Sequence, residues 1–194
     1  LIYGQIEGCL VLIDVEKGVE KFRHKFWTTK LTIEEEGRYV VDRSEWVGLG
    51  DLAFDVSNNG CIAVYHMLYY PSNPKGELYL LDSNGNVVWQ SSELMIEQLK
   101  ISSNGNFIIG CRGKLYAIDG SNGSILWDYR VGNVKKVVFS SDEAQALVVF
   151  SDSTISPKYD KVYLFDKNKR VVWKYKLEYR TYGNIVDVKA SDDF

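Results

Sequence analysis

Three stretches of this chain repeat one another, and that self-similarity restricts the fold more than any other feature. Leu78-Tyr79-Leu80-Leu81-Asp82 leads through Ser83-Asn84-Gly85 to Val87-Val88-Trp89. Leu115-Tyr116-Ala117-Ile118-Asp119 leads through Asn122-Gly123 to Ile125-Leu126-Trp127. Val162-Tyr163-Leu164-Phe165-Asp166 leads through Lys167-Asn168-Lys169 to Val171-Val172-Trp173. A weaker copy opens the chain: Leu10-Val11-Leu12-Ile13-Asp14, Gly18, and Phe22 in place of the tryptophan. A second element precedes each clear copy, as Phe54-Asp55-Val56-Ser57…Asn59-Gly60, Leu99…Ile101-Ser102…Asn104-Gly105 and Val137…Phe139-Ser140…Asp142-Glu143. It starts once more in Val188…Ala190-Ser191…Asp193.

Both elements read as hairpin turns. Asn and Gly accept positive φ, and Ser or Asp side chains accept hydrogen bonds from the turn amides. Between them lie unbroken apolar runs such as Phe107-Ile108-Ile109 and Leu147-Val148-Val149-Phe150, the pattern of strands buried on both faces. The tryptophans recur at roughly 40-residue intervals, enough for four short strands per repeat and the size of a propeller blade. The expected fold is therefore all-β: a β-propeller of four-stranded antiparallel blades. Approximate blades span 51–92, 96–130 and 134–177. A partial blade spans 1–30, with 31–50 as an insertion that includes a hairpin around Glu36-Gly37. Two readings of the ring stay open. Residues 184–194 complete the partial blade and close four blades, or the chain is an arc of a larger propeller. Each repeated tryptophan is expected to fill the space between one blade and the next.

Bulk properties fit a globular domain. The 194 residues carry 45% hydrophobic and 25% charged residues, which argues against disorder. Thirteen Tyr and five Trp suit β structure. A net charge of −3 gives no overall field toward nucleic acid. The acidic 31–55 and basic 158–180 stretches read as solvated strand faces. Cys9, Cys61 and Cys111 show neither a CxxC spacing nor a disulfide framework. No apolar run of about 18 residues spans a membrane. No signal-peptide pattern is visible, and the chain opens at Leu1 rather than Met. The compartment, cytoplasmic or extracellular, and the oligomeric state stay open.

The run Ala117-Ile118-Asp119…Asn122-Gly123…Trp127 resembles the tryptophan-docking repeat of quinoprotein (PQQ-like) propellers, in which Ala-x-Asp is followed by Thr-Gly and then Trp. Asn122 stands for the Thr, and Lys169 for the Gly of the last copy. The Ser-x-Asn-Gly turns are similar to those of WD-like propellers. The likeness implies a propeller fold, which hosts many activities. It also raises a PQQ-dependent oxidoreductase, but that family's adjacent Cys-Cys pair and calcium ligands have no counterpart here, so no cofactor is expected.

Other candidates for chemistry are weak. Asp82…Gly85 and Asp119…Gly123 lack the twelfth-position Glu of a calcium loop. His24 and His66 have no partner spacing for a metal or a triad. Glu34-Glu35-Glu36 reads as a solvated hairpin tip, and Asn122-Gly123-Ser124 is a glycosylation pattern inside a turn. No catalytic or metal-binding residue is expected. The aromatic loop at Tyr69, Tyr70 and Pro71, with Trp46 of the insertion, is the expected binding surface, because Tyr and Trp beside Pro give rigid amphipathic contacts. Asp14, Phe22, Asp82, Gly85, Trp89, Asp119, Gly123, Trp127, Asp166 and Trp173 are expected to carry the repeat. The expected function is a non-catalytic binding or scaffold propeller for a protein or glycan partner. The alternatives are part of an enzyme whose site lies in other blades, and a sensor domain of a larger protein.

Overall fold

A computed structural model of the chain describes residues 2–14, 17–33, 39–41, 48–69, 75–92, 94–152 and 159–177. These residues form strands and turns only. The first sheet contains β1 (Ile2–Asp14), β2 (Val19–Ile33) and β3 (Tyr39–Val41). The second contains β4 (Gly48–Val56), β5 (Ile62–Tyr69), β6 (Lys75–Leu81) and β7 (Val87–Ser92). The third contains β8 (Gln98–Ile101), β9 (Phe107–Cys111), β10 (Lys114–Asp119) and β11 (Ile125–Arg130). The fourth contains β12 (Asn133–Phe139), β13 (Gln145–Asp152), β14 (Tyr159–Asp166) and β15 (Val171–Leu177). The last three sheets are antiparallel meanders in sequence order.

The first sheet departs from this plan. Its opening strand runs unbroken for 13 residues and pairs with β2 from Ile2↔Ile33 to Asp14↔Val19. A bulge at Gly8/Cys9 absorbs the irregularity without turning the chain. Leu31–Ile33, expected in an inserted hairpin with 38–41, does pair with Tyr39–Val41, but as the end of the same 15-residue strand. Residues 184–194 lie outside the described residues, as do Glu34, Glu35, Glu36 and Gly37.

The core is divided between the sheet junctions. Alternate residues of one strand serve opposite junctions because side chains alternate across a sheet. Ile108 and Ile118 pack toward the second sheet with Ala63, Leu80 and Leu99. Phe107, Ile109 and Ala117 pack toward the fourth with Val137, Val148 and Phe165. Every residue of β9 is buried, as its unbroken apolar run predicts. The junction of the first and second sheets is smaller, with Leu12 and Phe22 against Ile62, Val64, Tyr79 and Leu81.

The turn residues do what their chemistry dictates. Ser102 Oγ donates to Asn104 Oδ1 (3.0 Å) and accepts from the Phe107 N–H (3.0 Å). Ser140 Oγ donates to Asp142 Oδ1 (2.6 Å) and accepts from the Gln145 N–H (3.0 Å). Asp82 Oδ1 accepts from the amides of Asn84 and Asn86 at 2.8 and 2.9 Å, and Asp166 Oδ1 from those of Asn168 and Arg170 at 3.0 and 2.8 Å. These turns also bind each other, both within a sheet and across a junction. The Gly120 N–H donates to Asn106 O (3.0 Å) and the Lys167 N–H to Ala144 O (2.9 Å), closing neighbouring turns within each sheet. Asn59 Nδ2 donates to Asn104 O (2.7 Å), linking the second sheet to the third. Glu143, which replaces glycine in the last turn, sits at φ 58°. Its carboxylate accepts from the Asn104 N–H at 2.9 Å, an intersheet bond no glycine can make.

Candidate functional site: a groove across three first strands

In each of the first three sheets one aromatic residue docks onto the aspartate turn of the following sheet. Trp127 Nε1 donates to Lys167 O (2.8 Å), and its ring lies 5.4 Å from that of Phe165. Trp89 Nε1 donates to Gly120 O (2.7 Å) and packs in the cluster that contains Ile118. Phe22 packs in the cluster that contains Leu81. Two of the docked turns need glycine: a Cβ on Gly123 would lie 2.6 Å from Trp89, and one on Gly85 would lie 2.5 Å from Phe22. Lys169, at φ 70°, holds the same backbone shape without glycine. Trp127 is buried, whereas Trp173, at the same place in the fourth sheet, is 44% exposed. Among the described residues Trp173 therefore does not fill a space between sheets, because no following sheet covers it. The Asp14 side chain lies outside the described set, although its backbone pairs with Val19.

The same stacking sets the first strands side by side. Asp55 on β4 accepts from the Ile101 N–H (3.0 Å) and pairs with Lys100 Nζ (3.2 Å), joining the second sheet to the third. Gln98 Nε2 on β8 donates to Val134 O (2.9 Å), joining the third to the fourth. Between these bridges runs an open groove of about 380 Å³, lined by Ala53 and Phe54, by Glu97 to Lys100, and by Lys135 to Val137. Its floor is apolar at Ala53, Leu99 and Val137, and its charged rim is mostly cationic. Lys135 pairs with Asp160, which is 2% exposed, at 2.7 Å. A second, smaller concavity of about 280 Å³ lies at the third junction, among Tyr129, Arg130, Phe150, Lys161 and Tyr163.

Tyr69 ends β5, paired with Gly48, and its side chain lies outside the described set. Tyr70, Pro71 and Trp46 lie outside the described residues altogether. The groove was not evident in the sequence, because its residues are strand positions with ordinary alternation. One signal was available: Lys100, Lys135 and Lys136 interrupt the apolar residues of first strands, Leu99 and Ile101 in β8 and Val134, Val137, Val138 and Phe139 in β12.

Three turn carboxylates and one thiol are tied into structure. Hydrogen bonds from Asn86 hold the Asp82 carboxyl below the usual carboxylate range, and bonds from Ser121 do the same for Asp119. The Ser140 hydroxyl lowers Asp142. Burial, then the charge of Glu97, pushes the Cys111 thiol up to about 12, so it stays protonated and unreactive at neutral pH. His66 is fully buried, stacked on Tyr79 at 5.6 Å with Nε2 3.4 Å from Glu77 Oε2. Among the described residues no group of three His, Cys, Asp or Glu side chains is placed to hold a metal ion. No described helix is long and apolar enough to cross a membrane.

No protein-family model matches the chain, and no curated protein sequence matches it. Solved structures do resemble it. A crystal structure of the eukaryotic initiation factor aligns over 81% of this chain and 46% of its own, with TM-score 0.52 and 13% identity. The β-propeller domain of the Trilobed protease from Pyrococcus furiosus aligns over 69% and 44%, with TM-score 0.51 and 12% identity. The acylaminoacyl peptidase of Pyrococcus horikoshii aligns over 70% and 26%, with TM-score 0.50 and 11% identity. The chain thus spans between about a quarter and a half of these proteins. At such identities the likeness concerns the fold alone. Together with the stacked four-stranded antiparallel sheets, it makes this chain an all-β protein of the β-propeller fold.

Proposed function

We propose that the chain is a non-catalytic binding module that takes a protein partner along the groove of β4, β8 and β12. The observation that carries this reading is the groove itself, with its apolar floor at Ala53, Leu99 and Val137 beneath the side chains of Lys100, Lys135 and Lys136. An extended acidic segment with apolar side chains matches it, since charge on the rim steers and orients while apolar contact holds. The bonded state of Asp82, Asp119 and Asp142 and the high thiol pKa of Cys111 are consistent with structural roles for those groups. Tyr69, Tyr70, Pro71 and Trp46 remain further contact residues in this reading, with Tyr69 at the end of β5. The finer affinity we propose is with quinoprotein-type repeats, on the strength of the Trp89 and Trp127 indoles donating to the residue just after each aspartate.

Selection from a displayed peptide library tests the function. Acidic, apolar-containing peptides should be enriched, and Lys136→Glu should weaken them by roughly tenfold, with circular dichroism showing the variant still folded. Absence of enrichment, binding indifferent to Lys136→Glu, or selective capture of glycans would overturn the reading.

A further inference from the structure

We propose that this chain associates head to tail with a second copy of itself, the exposed Trp173 of one copy docking onto Ile13 and the Gly18 turn of the other. Three junctions inside the chain supply the rule. Each docked aromatic packs toward the residue just before the next aspartate, and that residue is fully buried: Leu81 for Phe22, Ile118 for Trp89 and Phe165 for Trp127 all have 0% exposure. The fourth member of the series breaks the rule at both ends. Ile13, before Asp14, is 55% exposed, and Trp173 is 44% exposed. A Cβ on Gly85 or Gly123 would strike the docked aromatic, whereas one on Gly18 meets no atom within 4 Å, although Gly18 holds the same positive φ of 65°. Gly18 keeps the positive φ of the docked glycines, with no aromatic on it among the described residues.

Donor and acceptor thus stand on opposite ends of one molecule, the arrangement that yields heterologous contacts closing into rings or growing into filaments. Tyr175 (59%), two residues on and on the same face of β15, adds exposed surface beside Trp173, and Val19 (51%) lies next to Gly18. An aromatic in a small, well-fitted site is the kind of contact that dominates an interface.

Sedimentation of the full chain across micromolar to submillimolar concentrations tests this. The mass should rise with concentration. Trp173→Ala, and separately Gly18→Asn, should each raise the dissociation constant by about tenfold or more. Asn tolerates positive φ, so Gly18→Asn adds bulk at the turn without refolding it. Circular dichroism should show both variants folded as the wild type. Mixing the two should restore association, since the mixture holds one intact Trp173 and one intact Gly18 turn. A one-chain mass at every concentration would overturn the proposal, with a protected Trp173 indole then indicating closure within one chain. Association that Trp173→Ala leaves unchanged would also overturn it.

Discussion

Trp127 and Trp173 follow the same aspartate turn in the same kind of strand, yet one is 7% exposed and the other 44%. Their own sheets do not account for the contrast. Trp127 is covered because the fourth sheet follows it, offering Lys167 O to its indole and Phe165 to its ring. Trp173 has no such neighbour among the described residues. In a stacked-sheet protein a side chain's environment belongs to the junction, and the junction exists only where the next repeat is in place.

The largest expected effect comes from removing the covered indole. Trp127→Ala should destabilise the chain by about 3–5 kcal/mol, against under about 1 kcal/mol for Trp173→Ala, in urea titrations of dilute protein. Next comes the turn that receives an indole. Gly123→Val drives a Cβ into Trp89 and strains a positive φ, so it should cost about 3 kcal/mol, whereas Gly18→Val carries the strain alone, about 1–2 kcal/mol. A smaller effect separates the two contributions of Glu143. Glu143→Ala keeps the positive φ and loses the bond to Asn104, for a loss of about 1–2 kcal/mol, while Glu143→Gly loses the bond but relaxes the backbone and should fall near neutral.

Acid gives the smallest effect. Asp82, Asp119 and Asp142 titrate lower in the folded chain than a free carboxyl. Folding therefore gains from these ionised groups at any pH above the unfolded value near 4, and loses that gain as the pH falls through the lowered folded values. Asp119→Asn should flatten the acid limb of the stability curve relative to wild type and leave its slope above pH 5 unchanged, about one unit clear of the free carboxyl value.

What could be read from the sequence follows the same division. The turns were legible because Asp119, Asn122 and Gly123 act locally, as do Ser102 and Asn104. So was the burial of β9, whose run admits no polar face. Phe54 and Val56 were not legible. They match Leu99 and Ile101 of the next repeat in type and spacing, yet are 57% and 49% exposed against 4% and 6%. The face they share is covered or bare according to the preceding sheet, which among the described residues has three strands rather than four. For the same reason the groove escaped notice: Lys100, Lys135 and Lys136 come together only once β8 and β12 are stacked. The long β1–β2 hairpin was also missed, since the Leu10–Asp14 motif specifies a strand's end and not how far it extends backward.

The central claim, that each sheet is sealed to the next by an indole seated on an aspartate turn, is tested most directly by hydrogen exchange of the tryptophan Nε1–H groups. It is best followed by NMR in a Gly18→Asn background that keeps the chain monomeric. The account predicts slow exchange for Trp127 and Trp89, whose indoles donate to Lys167 O and Gly120 O, and exchange at the rate of a free indole for Trp173. Trp127 exchanging as fast as Trp173 would contradict it.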